Sequence, residues 1–108
     1  MILPPEFNFH ALEVFVMTVE LGGMSQCATH LQVTQSAVSQ TIAKLETSIG
    51  TPLFDRSMRP LGLTTSGRTM FERAKRLIEL ARSTYDEVRE GANLPVASLT
   101  VADRKSVV

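Results

Sequence analysis

Gln35, Ser36, Ser39 and Gln40 fall where helical periodicity gathers four uncharged polar side chains on one face. Positions 35 and 39 stack four apart, as do 36 and 40. A glutamine amide can donate and accept side by side against an adenine edge, at N6 and N7. A serine hydroxyl can do either against several bases. Ala37 and Ala43 keep this face low, so a bound surface can come close to the backbone. Further along, Arg56 and Arg59 supply long, permanently charged guanidinium groups. Together these types suit a duplex nucleic acid, with base edges to read and phosphates to hold.

Other chemistries find little support in the 108 residues. No nucleophile–base pair, phosphate-binding loop or metal-ligand cluster is legible, so the chain reads as no enzyme, with no catalytic residue, metal or cofactor of its own. Cys27 is the one cysteine, which excludes an internal disulfide and a cysteine-based zinc site. It reads as an inert buried thiol. His10 and His30 read as surface or packing residues. No apolar run is long enough to cross a bilayer, and the first residues lack the basic and apolar regions of a signal peptide. The expected compartment is the cytoplasm.

The formal net charge is zero, but it is unevenly placed. Residues 1–50 carry −3, residues 51–82 carry +4 and residues 83–108 carry −1. A basic middle leaves room for a polyanionic partner, because the local field decides.

The polar face needs elements to position it. A first helix is predicted from about Phe9 to Leu21, capped by Asn8, with Phe9, Leu12, Phe15, Val16 and Val19 as its apolar face. Gly22-Gly23 ends it. Ser25 is predicted to cap a short helix to Leu31, and Thr34 to cap a third helix starting at Gln35. Val38, Ile42, Leu45 and Ile49 give that helix its inward stripe. Ala28 suits a close helix crossing, and Leu31, Val33 and Val38 should fill the corner. Residues of about 24–43 therefore form a helix-turn-helix.

Short apolar pieces at 53–54 and 61–63 flank a polar turn containing Pro60, which predicts a small hairpin over about 53–63. Arg56 and Arg59 lie at or near its tip. Arg59 suits a backbone or minor-groove contact. Arg56 has two readings: a contact of the same kind, or a brace paired with a nearby carboxylate. Thr64 should cap a long helix ending near Glu90, at Gly91 and Pro95. Met70, Ala74, Leu77, Ala81, Thr84 or Tyr85, and Val88 form its stripe, widened by Phe71, Ile78 and Tyr85. About 26 residues at 1.5 Å each would span roughly 39 Å. A small domain cannot cover that length, which calls for a second copy of the chain along this helix. The basic side chains Arg68, Arg73, Lys75 and Arg76 read mainly as a solvated face, with Arg68 near enough to the helix start to approach a phosphate.

Three blocks then stand in order: residues 33–46 from Val33-Thr34-Gln35-Ser36-Ala37, residues 49–56 from Ile49-Gly50-Thr51-Pro52-Leu53-Phe54, and Leu63-Thr64-Thr65-Ser66-Gly67. With the opening Asn8-Phe9-His10-Ala11-Leu12, they resemble the DNA-binding domain of the LysR-type transcriptional regulators over roughly residues 8–92. The resemblance implies a mainly α winged helix-turn-helix, three helices plus a short β-hairpin wing, followed by a long dimerisation helix. It implies a reading domain over 1–64, a linker helix over 65–92, and over 93–108 a hinge with the first strand, at 98–102, of an effector-binding domain. It places DNA contacts at Ser25, Thr34, Gln35, Ser36, Ser39, Gln40, Arg56 and Arg59. It also implies double-stranded DNA as partner, a homodimer with tetramers open to the longer protein, and a small-molecule effector for that longer protein. Many members carry proline where Ser36 stands and arginine where Gln40 stands.

Two functions of different class follow. One is a regulator that binds a pseudo-palindromic operator as a dimer, with the third helix in the major groove. The other is a winged-helix module that binds protein without DNA.

Overall fold

A computed structural model describes residues 2–92; the strand expected at 98–102 and the hinge before it lie outside the described residues. The elements run α1 (Phe9–Leu21), α2 (Met24–Leu31), α3 (Gln35–Ile49), β1 (Phe54–Asp55), β2 (Gly62–Leu63) and α4 (Thr65–Ala92).

Local chemistry sets each boundary. Asn8 caps α1, its side chain accepting from the Ala11 amide at 2.8 Å. Gly22 closes the helix in the left-handed region, φ 93°, where glycine avoids a Cβ clash. Ser25 does not cap α2, which begins two residues before the expected Gln26, at Met24, with Gly23 at the cap and no side-chain bond. The Gly22-Gly23 pair thus serves two helices, closing one and opening the next. Gln32 ends α2 at φ 60°, and the Val33 amide donates back to Ala28 at 3.0 Å. Thr34 caps α3, its hydroxyl accepting from the Ala37 amide at 3.0 Å.

The core lies where α1, α2 and α3 meet the base of the hairpin. Phe15, Cys27, Ile42, Leu45 and Leu53 are buried, with Val38 and Ala28 beside them. Each large apolar side chain so buried stabilises the fold by roughly 1.5–3 kcal/mol. The Phe15 and Phe54 rings lie 5.3 Å apart and tilted, tying α1 to β1.

Three expected core positions differ. Phe9 is exposed, while Ala11 and Val14 are buried, because α1 is covered by both α2 and α3 and so buries more than one narrow stripe. Val33 is exposed and does not fill the corner, since the turn at Gln32 directs it outward. Ile49 is also exposed, being the last residue of α3.

β1 and β2 pair antiparallel, Phe54 opposite Leu63 and Asp55 opposite Gly62. Thr64 then makes two bonds with one hydroxyl. It donates to the Pro52 carbonyl at 2.8 Å and accepts from the Gly67 amide at 2.9 Å, capping α4. Gly91 does not end α4, which continues through Ala92.

Two units divide the chain, the first reaching Ile78 and the second starting at Glu79. Within the first, Ala74 is fully buried, and Met70, Phe71 and Ile78 lean on the same core. Ala74 therefore has no surface left to offer a second copy, and the expected seam narrows accordingly. In the second, every residue from 79 to 90 is exposed.

Candidate nucleic-acid interface

The amino-terminal turns of α3 carry the polar face. Gln35, Ser36 and Gln40 are exposed, and Ser39 is half-buried. Among the described residues, none of these four side chains makes a hydrogen bond, so their donors and acceptors are open to a bound surface. The hydroxyls of Thr34 and Thr41 are occupied, by the Ala37 amide and the Ala37 carbonyl respectively. Thr34 is therefore a cap first. Its exposure still leaves a lone pair open at the positive end of the helix.

Ser25 sits exposed in the first turn of α2, beside amides that the helix itself leaves free. It is separate in sequence from the α3 face and matches it in kind: a small hydroxyl at a helix amino terminus, suited to an anion.

The hairpin holds both arginines in internal contacts. Arg56 Nη1 lies 3.4 Å from Glu46 Oε2, the contact a brace would make, and the arginine side chain stays half exposed. The Arg59 guanidinium turns back to donate to the carbonyls of Arg56 and Met58. Asp55 accepts from the Ser57 hydroxyl and amide, and these bonds, the hydroxyl's first, hold its carboxyl below its ordinary value; slight burial opposes them. Arg68 lies close by, donating to Thr65 Oγ1 at 3.3 Å and the Leu63 carbonyl at 3.5 Å.

Glu46 was not singled out from the sequence, although a signal existed. It stands four residues after Ile42 and three before Ile49, so an acid interrupts the inward stripe of α3. An acid at such a position needs donors, and the donors come from the hairpin: the amides of Leu53 at 2.7 Å and Phe54 at 3.2 Å, besides Arg56.

Along α4, Leu77, Leu80, Tyr85 and Val88 are exposed apolar residues, and Ala81 is exposed between them. Among the described residues no group of histidine, cysteine or acid side chains could hold a metal, and no helix is long and apolar enough to cross a membrane.

Two helices joined at Gln32, a third packed across them and a hairpin after α3 define a winged helix-turn-helix protein. A family model described as "Bacterial regulatory helix-turn-helix protein, lysR family" matches residues 9–68. The chain belongs to that family. It is 31% identical over 90 residues to the HTH-type transcriptional activator AaeR of Escherichia coli (strain K12), covering 83% of this chain and 29% of that protein. It is 35% identical over 95 residues to the HTH-type transcriptional regulator TcbR of Pseudomonas sp. (strain P51), covering 88% and 32%. The chain thus spans about a third of the length of these curated relatives. Among solved structures it resembles the protein of the CbnR_DBD-DNA complex, at 33% identity and a TM-score of 0.74, covering 81% of this chain and all of that one.

Proposed function

We propose that this chain is the DNA-binding part of a transcriptional regulator and binds a pseudo-palindromic duplex as a dimer. The observation that carries the reading is the unengaged polar face at the capped amino terminus of α3. Among the described residues Gln35, Ser36, Ser39 and Gln40 have no side-chain hydrogen-bond partner, and a helix terminus favours nearby phosphate. A protein similar over its whole length has been solved as a DNA complex, which supports the same reading.

In this reading α3 enters the major groove. Gln35 and Gln40 meet base edges, with Ser36 and Ser39 beside them. Ser25 and Thr34 face phosphates, and Arg59 reaches the backbone or minor groove beside the helix. Residues 1–64 are the reading domain and 65–92 the linker helix. Leu77, Ala81, Tyr85 and Val88 lie against the same helix of a second copy, while Met70 and Ile78 flank that seam. Residues 93–108 lead toward an effector-binding domain, through which a small molecule acts on the longer protein in the cytoplasm. The relatives are a transcriptional activator and a transcriptional regulator, and the proposed role is likewise regulatory rather than enzymatic.

The test is duplex binding across a salt series. Phosphate contacts make log affinity fall with log salt, by about 0.9 for each phosphate neutralised. A steep fall is the expected result. No duplex binding at low salt, or a flat response, rejects the proposal.

A further inference from the structure

We propose that Glu46 is a positioning residue for the wing, and that it acts through Arg56 to hold Arg59 in place beside the reading helix. The inference rests on the DNA-binding reading above and adds to it a division of labour between the two wing arginines.

The connection from α3 to β1 is short. Gly50 turns the chain at φ 89°, Thr51 and Pro52 follow, and Leu53 opens the hairpin. Glu46 bridges this turn with one oxygen. Its Oε2 takes the Leu53 amide at 2.7 Å, the Phe54 amide at 3.2 Å and Arg56 Nη1 at 3.4 Å. The acid's side chain is only 13% exposed, and these donors satisfy an oxygen that water reaches poorly.

The two ends of the hairpin differ in how they are held. Its base is fixed by other means as well: Leu53 and Phe54 are buried, and Thr64 bonds to Pro52 and Leu53. Its tip, residues 57–60, is exposed. The Glu46–Arg56 pair is the link from α3 toward that tip. The Arg56 carbonyl in turn accepts from the Arg59 guanidinium. A relay therefore runs from the reading helix through Arg56 to Arg59, built from one carboxylate, one guanidinium and one carbonyl. Arg56 gives Glu46 one Nη1 contact and so holds the tip, while Arg59, seated on the Arg56 and Met58 carbonyls, is the arginine this proposal assigns to DNA.

The experiment compares wild type with Glu46→Gln, Arg56→Ala, Arg59→Ala and the pair Glu46→Gln/Arg56→Ala. The probe is a duplex recovered from a random pool by binding-site selection. Glu46→Gln keeps the size and one acceptor oxygen for the amides, so folding, followed by circular dichroism, should persist while the arginine is released. The expected result is loss of hydroxyl-radical protection at the flanks of the footprint with the centre retained, and a salt slope lowered by about 1. Arg56→Ala should do the same, and the double variant no more than either. If Arg56 touches DNA itself, Glu46→Gln leaves the flanks protected while Arg56→Ala loses them, and the relay is overturned. Should Glu46→Gln unfold, Arg56→Ala with Arg59→Ala decides: non-additive losses support the relay and additive losses overturn it. A wild type that protects no duplex removes the DNA-binding reading itself, and this inference with it.

Discussion

The carbonyl oxygen of Leu53 occupies the place where a side chain on Gly67 would begin: a Cβ built there lies well inside van der Waals contact of that oxygen. The same carbonyl accepts the Thr64 amide at 3.0 Å, so it cannot withdraw without breaking that bond. The first turn of α4 is thereby pressed on the base of the wing, and the wing inherits its footing from a glycine inside a helix.

Gly67→Ala sets two effects against each other. Alanine favours a helix interior by about 1 kcal/mol over glycine. The added methyl meets backbone rather than a flexible side chain, and overpacking of this kind costs about 1–3 kcal/mol. The clash should win, lowering the urea midpoint with an unchanged slope. A raised midpoint would show that α4 can lift off Leu53 freely.

Arg59→Ala and Gln35→Ala should fail in different ways. Arg59 offers charge without base edges, so its loss should weaken all duplexes alike and lower the salt slope by about 1. Gln35 offers a paired donor and acceptor, so its loss should cost about 1–3 kcal/mol on the preferred site and relax preference there. Competition between selected and random duplexes separates the two. Uniform loss for Gln35→Ala would make it a residue that orients rather than reads.

The reading face was legible because it depends on local rules. Thr34 as cap, Gly50 as terminator and the stripe Val38, Ile42 and Leu45 follow from spacing along one helix, and each stands where spacing put it. What could not be read depends on neighbours that arrive from elsewhere in the chain. Phe9 is exposed and Val14 buried because two helices, not one, cover α1. Ala74 fits the seam by periodicity, yet the domain's own core takes it. Ser25 has the right type for a cap, but the second glycine of the pair starts α2 two residues sooner. Glu46 counted only as charge until the hairpin supplied its donors.

Asp55 gives a pH dependence of known sign. The Ser57 hydroxyl, then the Ser57 amide, favour its ionised form, so its carboxyl titrates below the ordinary 3.8. A depressed value in the folded state adds stability above the unfolded carboxylate range, and this is lost as pH falls through the folded value. The turn at the wing tip should therefore loosen only in acid. The Asp55 carboxyl carbon, followed by NMR, should show a midpoint under 3.8 that rises part of the way back in Ser57→Ala, where the amide bond persists. A midpoint unmoved by that substitution would deny the hydroxyl its role.

Leu77 and Ala74 lie three residues apart on α4 and should respond oppositely to the same substitution. Ala74 is fully buried, so Ala74→Glu places a charge in the core without a partner and should unfold the domain. Leu77 is 46% exposed, so Leu77→Glu should leave the domain folded. On the proposed pairing, however, Leu77 faces a second copy, together with Ala81, Tyr85 and Val88. Isolated helices are marginal in water, and exposed apolar residues along one helix are most simply stabilised by a partner helix. Leu77→Glu should then halve the mass in light scattering while the circular dichroism of the reading domain stays native. It should also weaken binding to a two-half-site duplex far more than to a single half-site, because only the former needs both copies held together. An unchanged mass would move the seam off Leu77, and an unfolded chain would place Leu77 in the core.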